Sequence, residues 1–221
     1  MTSIRKKKKN NAKREEKWKK QRMERGYSDC DVWDMYTWFI GTIKPMLEQL
    51  SKNHMGFPAS IGKNWFDKHE SELGMSYEQW ISWPSEESDP VGYKRRVDAN
   101  NECDEEWKGI LNRMVFLLGE MGEDTCTKKN PYEDAMAKAY EEFHEKYGSF
   151  GDGLKTEEEK EEENRIGLYR MYHPTDEPGR DDVKELFKKY MEEDHNIAKY
   201  RDDCKNEFFE LFSKHFWNLW D

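Results

Sequence analysis

Two Glu-x-x-His pairs, Glu141 to His144 and Glu192 to His195, offer the most tempting chemistry in this 221-residue sequence. On facing helices of a bundle, that spacing supplies the carboxylate and imidazole ligands of di-iron sites. Ligands of such a site must point into the bundle. The helix expected from Pro131 has its apolar stripe on Met136, Tyr140, Phe143 and Tyr147, which leaves Glu141 and His144 to one side. Glutamate is abundant enough for such pairs to arise from composition. The reading therefore expects neither metal nor cofactor, and a carboxylate/histidine metal enzyme is the least favoured of three function classes.

Other candidate sites are weighed in the same way. Asp29, Asp31 and Asp34 are clustered carboxylates of the kind that hold Mg²⁺. Acids at a helix N-terminus explain the same residues without a ligand. The glycines between Gly148 and Gly153 follow no strand, so they mark a helix stop and hinge better than a phosphate loop. Serine and histidine fall into no hydrolase signature. The chain is expected not to be an enzyme.

The stronger signal is charge. Residues 1–25 hold twelve Lys or Arg and three Glu, a local charge of +9 within a chain of net −10, so the remainder carries −19. Lys6, Lys7, Lys8, Lys9, Lys13, Arg14, Lys17, Lys19 and Lys20 suit phosphate neutralisation with counterion release, a mode without sequence preference. Trp18 is placed to stack on a base. With one aromatic residue and no apolar stripe, the arm cannot offset its own ordering entropy by burial, so it is expected to be disordered, or helical when bound.

The elements that must position these residues are helical. Charged residues make up 38% of the chain, with Glu and Lys prominent, and the apolar material is largely Trp, Tyr, Phe and Met rather than β-branched. A first helix is expected from Ser28 as N-cap, with Val32, Tyr36, Phe39, Ile43, Met46 and Leu50 on one face and Trp33 and Trp38 widening it. Pro45 falls inside it. Residues 59–103 look like a loop-rich insertion with a short helix at Ser76–Ile81 before Trp83-Pro84, and they carry the body's basic cluster, Tyr93 to Arg96. From Asp104 the period returns through Trp107, Leu111, Met114 and Leu118. A helix from Asn130-Pro131, an acidic helix boxed by Thr156 and Glu159 and reaching to about Tyr172, and a long final helix from Asp181 follow. The aromatic ending, Phe208 to Trp220, implies burial all round or an interface, and burial in the core is favoured over a docking surface.

The four cysteines are scattered with no C-x-x-C pair, so they read as reduced thiols. The N-terminal residues lack a secretory apolar stretch, and the longest aliphatic run, Val115 to Leu118, is far short of a membrane span. The expected location is the cytoplasm, with no membrane contact.

Three segments in this order resemble a family of uncharacterised tailed-bacteriophage and prophage proteins. They are Tyr27-Ser28-Asp29 with Asp31 and Trp33, Glu106-Trp107 with Ile110, Leu111 and Met114, and Leu211-Phe212 with Lys214, Phe216, Leu219 and Trp220. The resemblance covers about a third of the chain; the stretch between Pro58 and Trp107 and the polybasic arm depart from it. It implies a phage origin, hence host cytoplasm or virion, and a helical body, and it implies no activity.

The expectation is an all-α irregular helical bundle, a single domain over 26–221 with a long C-terminal helix and the basic arm at 1–25. Trp33, Trp38, Trp107, Phe212 and Phe216 are its expected core aromatics. The arm would contact RNA or DNA without sequence preference, or a nucleoprotein complex; the competing readings are a solubilising tail and a tail that folds back on its own acidic body. In the second function class the acidic body binds a host or phage protein.

Overall fold

Among the described residues every regular element is helical, as the shortage of β-branched residues leads one to expect. The computed structural model describes residues 2–82 and 85–220, with side chains from residue 11 onward. Trp83, Pro84 and the side chains of Lys6, Lys7, Lys8 and Lys9 lie outside the described residues. The chain divides into two compact units, Met1–Asp124 with Cys204–Asp221, and Thr125–Asp203.

The first unit holds α1 (Thr2–Arg25), α2 (Met35–Asn53), α3 (Ala59–Leu73), α4 (Tyr77–Ile81), α5 (Pro90–Met121) and the end of α8 (Asp181–His215). Its frame is α2 along α5, with α3 also on α5. Trp107, Leu111, Met114 and Leu118 of α5 are all buried, at the spacing read from the sequence. Phe208 of α8 is fully buried, and the Phe39 ring meets those of Phe208, Phe209 and Phe212. Burying one such ring stabilises the unit by roughly 1.5–3 kcal/mol. Directional bonds fix the register: Ser51 Oγ donates to Asn112 Oδ1 at 2.7 Å, and Arg113 forks onto Glu207 at 2.6 and 2.7 Å.

Two expectations about this unit need correction. Residues 59–103 are mostly helical rather than loop-rich. Phe66, Leu73, Trp80 and Ala99 form a cluster there, and Trp65 stacks on Trp80 with ring centres 5.4 Å apart. The first packed helix begins at Met35 rather than after Ser28, with Asp34 as its N-cap accepting from the Thr37 amide. Trp33 therefore sits in a turn and is 78% exposed instead of buried in the core. Trp38 and Phe212 are half-buried. The terminal aromatics are corrected in the same way. α8 stops at His215 and a 3-10 turn follows, so the helical period breaks, leaving Phe216, Trp217 and Trp220 exposed while His215 is buried.

The second unit holds α6 (Glu133–Tyr147), α7 (Glu157–Ile166) and the first part of α8. Met136 and Ala139 of α6 pack with Val183 of α8, flanked by Tyr140, Leu186, Phe187 and Tyr190. α6 starts two residues after Pro131, while Asn130 Oδ1 accepts from the Tyr132 amide just ahead of it. Gly151 has φ +71°, and a Cβ there would lie 2.6 Å from Tyr172 Cβ and 3.0 Å from the Phe143 ring, so only glycine fits the turn after α6. The Thr156–Glu159 capping box forms as read, but α7 ends at Ile166 with Gly167 in the left-handed conformation, short of Tyr172.

Candidate nucleic-acid interface

The basic segment is a helix anchored at one end. α1 has no acid in its first turn and ends at Gly26, whose φ is +81°. The Gly26 amide donates to Arg22 O at 3.0 Å, and its carbonyl accepts from the Trp38 indole at 3.3 Å. The chain then turns back through residues 28–33 under the last three turns of α1. Lys17, Gln21 and Arg25 stand four residues apart on one face of α1, and all three converge on Asp29. Lys17 Nζ lies 2.9 Å and Gln21 Nε2 2.8 Å from Asp29 Oδ2, and Arg25 pairs with Oδ1. Arg22 forks onto Asp31 at 2.6 and 2.9 Å. Asp31 Oδ2 also accepts from the amide and hydroxyl of buried Ser28 at 2.6 and 2.8 Å.

Charge follows from this geometry. The Gln21, Lys17 and Arg25 donors hold the Asp29 carboxyl well below the usual carboxylate range. Arg22, helped by Ser28, does the same for Asp31. Asp29 and Asp31 are thus not acids of a helix first turn but the counter-charges that dock the arm. Asp34, the third of the cluster, is spent as the α2 cap. Among the described residues no group of three His, Cys, Asp or Glu side chains gathers to hold a metal ion. Glu141, His144, Glu192 and His195 are all exposed.

The candidate contact residues separate into two sets. Lys17 is committed to Asp29, and Trp18 is half-buried, edge-on to Trp33 at 6.4 Å, with the Arg14 guanidinium 4.9 Å over its ring. Lys13, Lys19 and Lys20 are exposed and pair with neither aspartate; Lys13 stands one turn before Lys17 on the same row, and Lys20 lies 3.6 Å from Glu24. Arg22, Arg25 and Gln21 were missed as functional residues by the sequence reading, which counted the two arginines only as charge. The four-residue spacing of 17, 21 and 25 ahead of two aspartates is the signal that could have found them.

Elsewhere in the first unit, a groove of about 470 Å³ runs along α2 and the C-terminal turn. Its walls include Met46, Leu50, Phe212, Phe216 and Trp220, and its polar groups are the amides of Gln49 and Asn53. It offers apolar contact and no ionisable group. No helix among the described residues is long and apolar enough to cross a membrane. No protein-family model, curated protein or solved structure matches the chain.

Proposed function

We propose that the protein is a non-enzymatic accessory protein of the phage kind its motifs resemble. In this reading it grips RNA, DNA or a nucleoprotein assembly through α1, in the host cytoplasm or in the virion. The observation that carries this reading is the division of the cations of α1 into two sets. Lys17, Arg22 and Arg25 pair with Asp29 and Asp31, and Lys13, Lys19 and Lys20 are presented to solvent.

A basic helix held by its own chain has already lost the freedom that a disordered arm would lose on binding, so more of each phosphate contact survives as affinity. At 1.5 Å per residue the 24 residues of α1 extend about 36 Å, close to one turn of a duplex. Recognition of this kind reads the backbone, so RNA and DNA of any sequence are bound.

The test uses the full chain and fluorescence anisotropy with a 30-nucleotide RNA and a DNA duplex of equal length. Binding is expected to weaken steeply from 50 to 200 mM salt, and to fall at least tenfold in the Lys13→Glu/Lys19→Glu/Lys20→Glu variant, whose fold is checked by circular dichroism. Affinity unchanged by salt or by these three substitutions would sink the reading.

A further inference from the structure

Between Gly167 and the 3-10 turn at Pro174–Asp176, residues 168–173 run without helix along α7, and they are bonded on one side only. The Arg170 amide donates to Glu163 Oε1 at 2.7 Å, and the Tyr172 amide to Phe150 O at 3.1 Å. The Tyr172 hydroxyl donates to Glu159 Oε1 at 2.6 Å, and the Arg170 guanidinium lies 4.5 Å over the Tyr172 ring. In an extended chain, amides and carbonyls of successive residues point to opposite edges. The amides of Arg170 and Tyr172, two residues apart, bond inward, the alternation of an extended strand, and those of Tyr169 and Met171 do not. Among the described residues the backbone of Tyr169 and Met171 makes no hydrogen bond.

This edge has the other properties of a docking strand. Leu168 is 72%, Tyr169 69% and Met171 54% exposed, a run of large apolar side chains that a folded unit ordinarily covers. Beside them α7 carries six glutamates against Lys160 and Arg165, and a hollow of about 330 Å³ is bordered by Glu162, Ile166, Leu168 and Tyr169. An edge strand left without a partner is ordinarily guarded by charge of its own or by a bulge. Here Arg170 is the one charge on the edge, its guanidinium lies over the Tyr172 ring, and the α7 charge beside it is net acidic, which favours a basic partner.

We propose that residues 168–172 are the receiving edge for an extended, basic segment of a partner protein, which adds itself as a strand. Its main chain pairs with Tyr169 and Met171, its apolar side chains cover Leu168 and Tyr169, and its lysines or arginines face the glutamates of α7. This surface shares no residue with α1, and the proposal does not rest on what α1 binds.

The probe is a blocked heptapeptide of alternating lysine and valine, titrated into the full chain by calorimetry. Its companion is the same peptide N-methylated at every residue, with equal charge and side chains but no donors along either edge. The expected result is binding of the first peptide, at least tenfold weaker binding of the second, and a similar loss in Met171→Pro, which removes one outward amide and leaves the inward bonds of 170 and 172. A Glu162→Gln variant should weaken the unmodified peptide several-fold. Equal binding of both peptides would reduce the surface to a general acidic patch and overturn the proposal, as would no binding of either. Should Met171→Pro fail to fold, the peptide pair on the unsubstituted chain decides alone. A dimer of the full chain that the peptide cannot dissociate would give the edge to a second copy and equally overturn it.

Discussion

Asp29 is the residue on which the arm depends, because three donors from three successive turns of α1 end on its two oxygens. Removing the charges at Asp29→Asn and Asp31→Asn leaves Arg22 and Arg25 without counter-ions. The double variant should therefore release the end of α1 and expose Trp18, raising its quenching by acrylamide. Acid should do the same. Both carboxyls titrate below their unfolded value of about 3.9, so their contribution is whole above that pH and is lost as pH falls below it. Trp18 quenching should hold steady from pH 7 to about pH 4 and rise below that. His215 has the opposite chemistry. It is buried 5.3 Å from the Trp107 ring with neither ring nitrogen hydrogen-bonded, and burial, with Lys214 adding to it, pushes its pKa down. A base that protonates more readily unfolded than folded weakens the fold as pH drops through its unfolded pKa, about 6.5. Urea midpoints of the protein should decline between pH 7 and pH 5.5, and His215→Leu should flatten that decline.

At the scale of elements, the sequence was legible where local chemistry and tertiary packing agree. Ser76 with Gln79 and Thr156 with Glu159 were readable as helix starts because their side chains and amides satisfy each other within four residues, whatever packs around them. The Trp107 stripe was readable because large apolar residues repeat at helical spacing. The first turns of α5 were not, because what they bury is Arg96, Ala99 and Cys103: a charge, a methyl and a thiol. Arg96 is admitted by lying 4.1 Å over the Trp80 ring, a partner sixteen residues away that no periodicity announces. The start of α2 was misread because Ser28 and Asp31 do form a box-like pair, but around a turn rather than a helix. The boxes have a measurable value: Thr156→Ala should cost about 1 kcal/mol of stability. Leu111→Ala, which opens a cavity under the α2–α5 packing, should cost about 2–5 kcal/mol. Chemical denaturation of the two variants side by side checks both.

For the whole molecule, the net charge of −10 conceals a division along the chain, a basic helix and an acidic remainder. Fold class was legible from composition, and so was the existence of the arm. The clamp that sorts the cations of α1 into a paired set and an exposed one was not, since it depends on a reversal of the chain at Gly26. That split sets how binding must respond to salt. Each lysine that neutralises a phosphate of duplex DNA contributes about −0.9 to the slope of log K against log salt. Replacing Lys13, Lys19 and Lys20 by glutamine should therefore flatten the slope by about 3 × 0.9. Glutamine at Lys17, whose charge Asp29 already answers, should alter it by well under one such contact. A disordered arm would treat all four lysines alike. If the Lys17→Gln slope changes as much as that of Lys19→Gln, the arm binds undocked and the preorganised helix is not the binding form. If only the exposed lysines move the slope, then the aspartates that hold α1 also choose which of its cations are left for the nucleic acid.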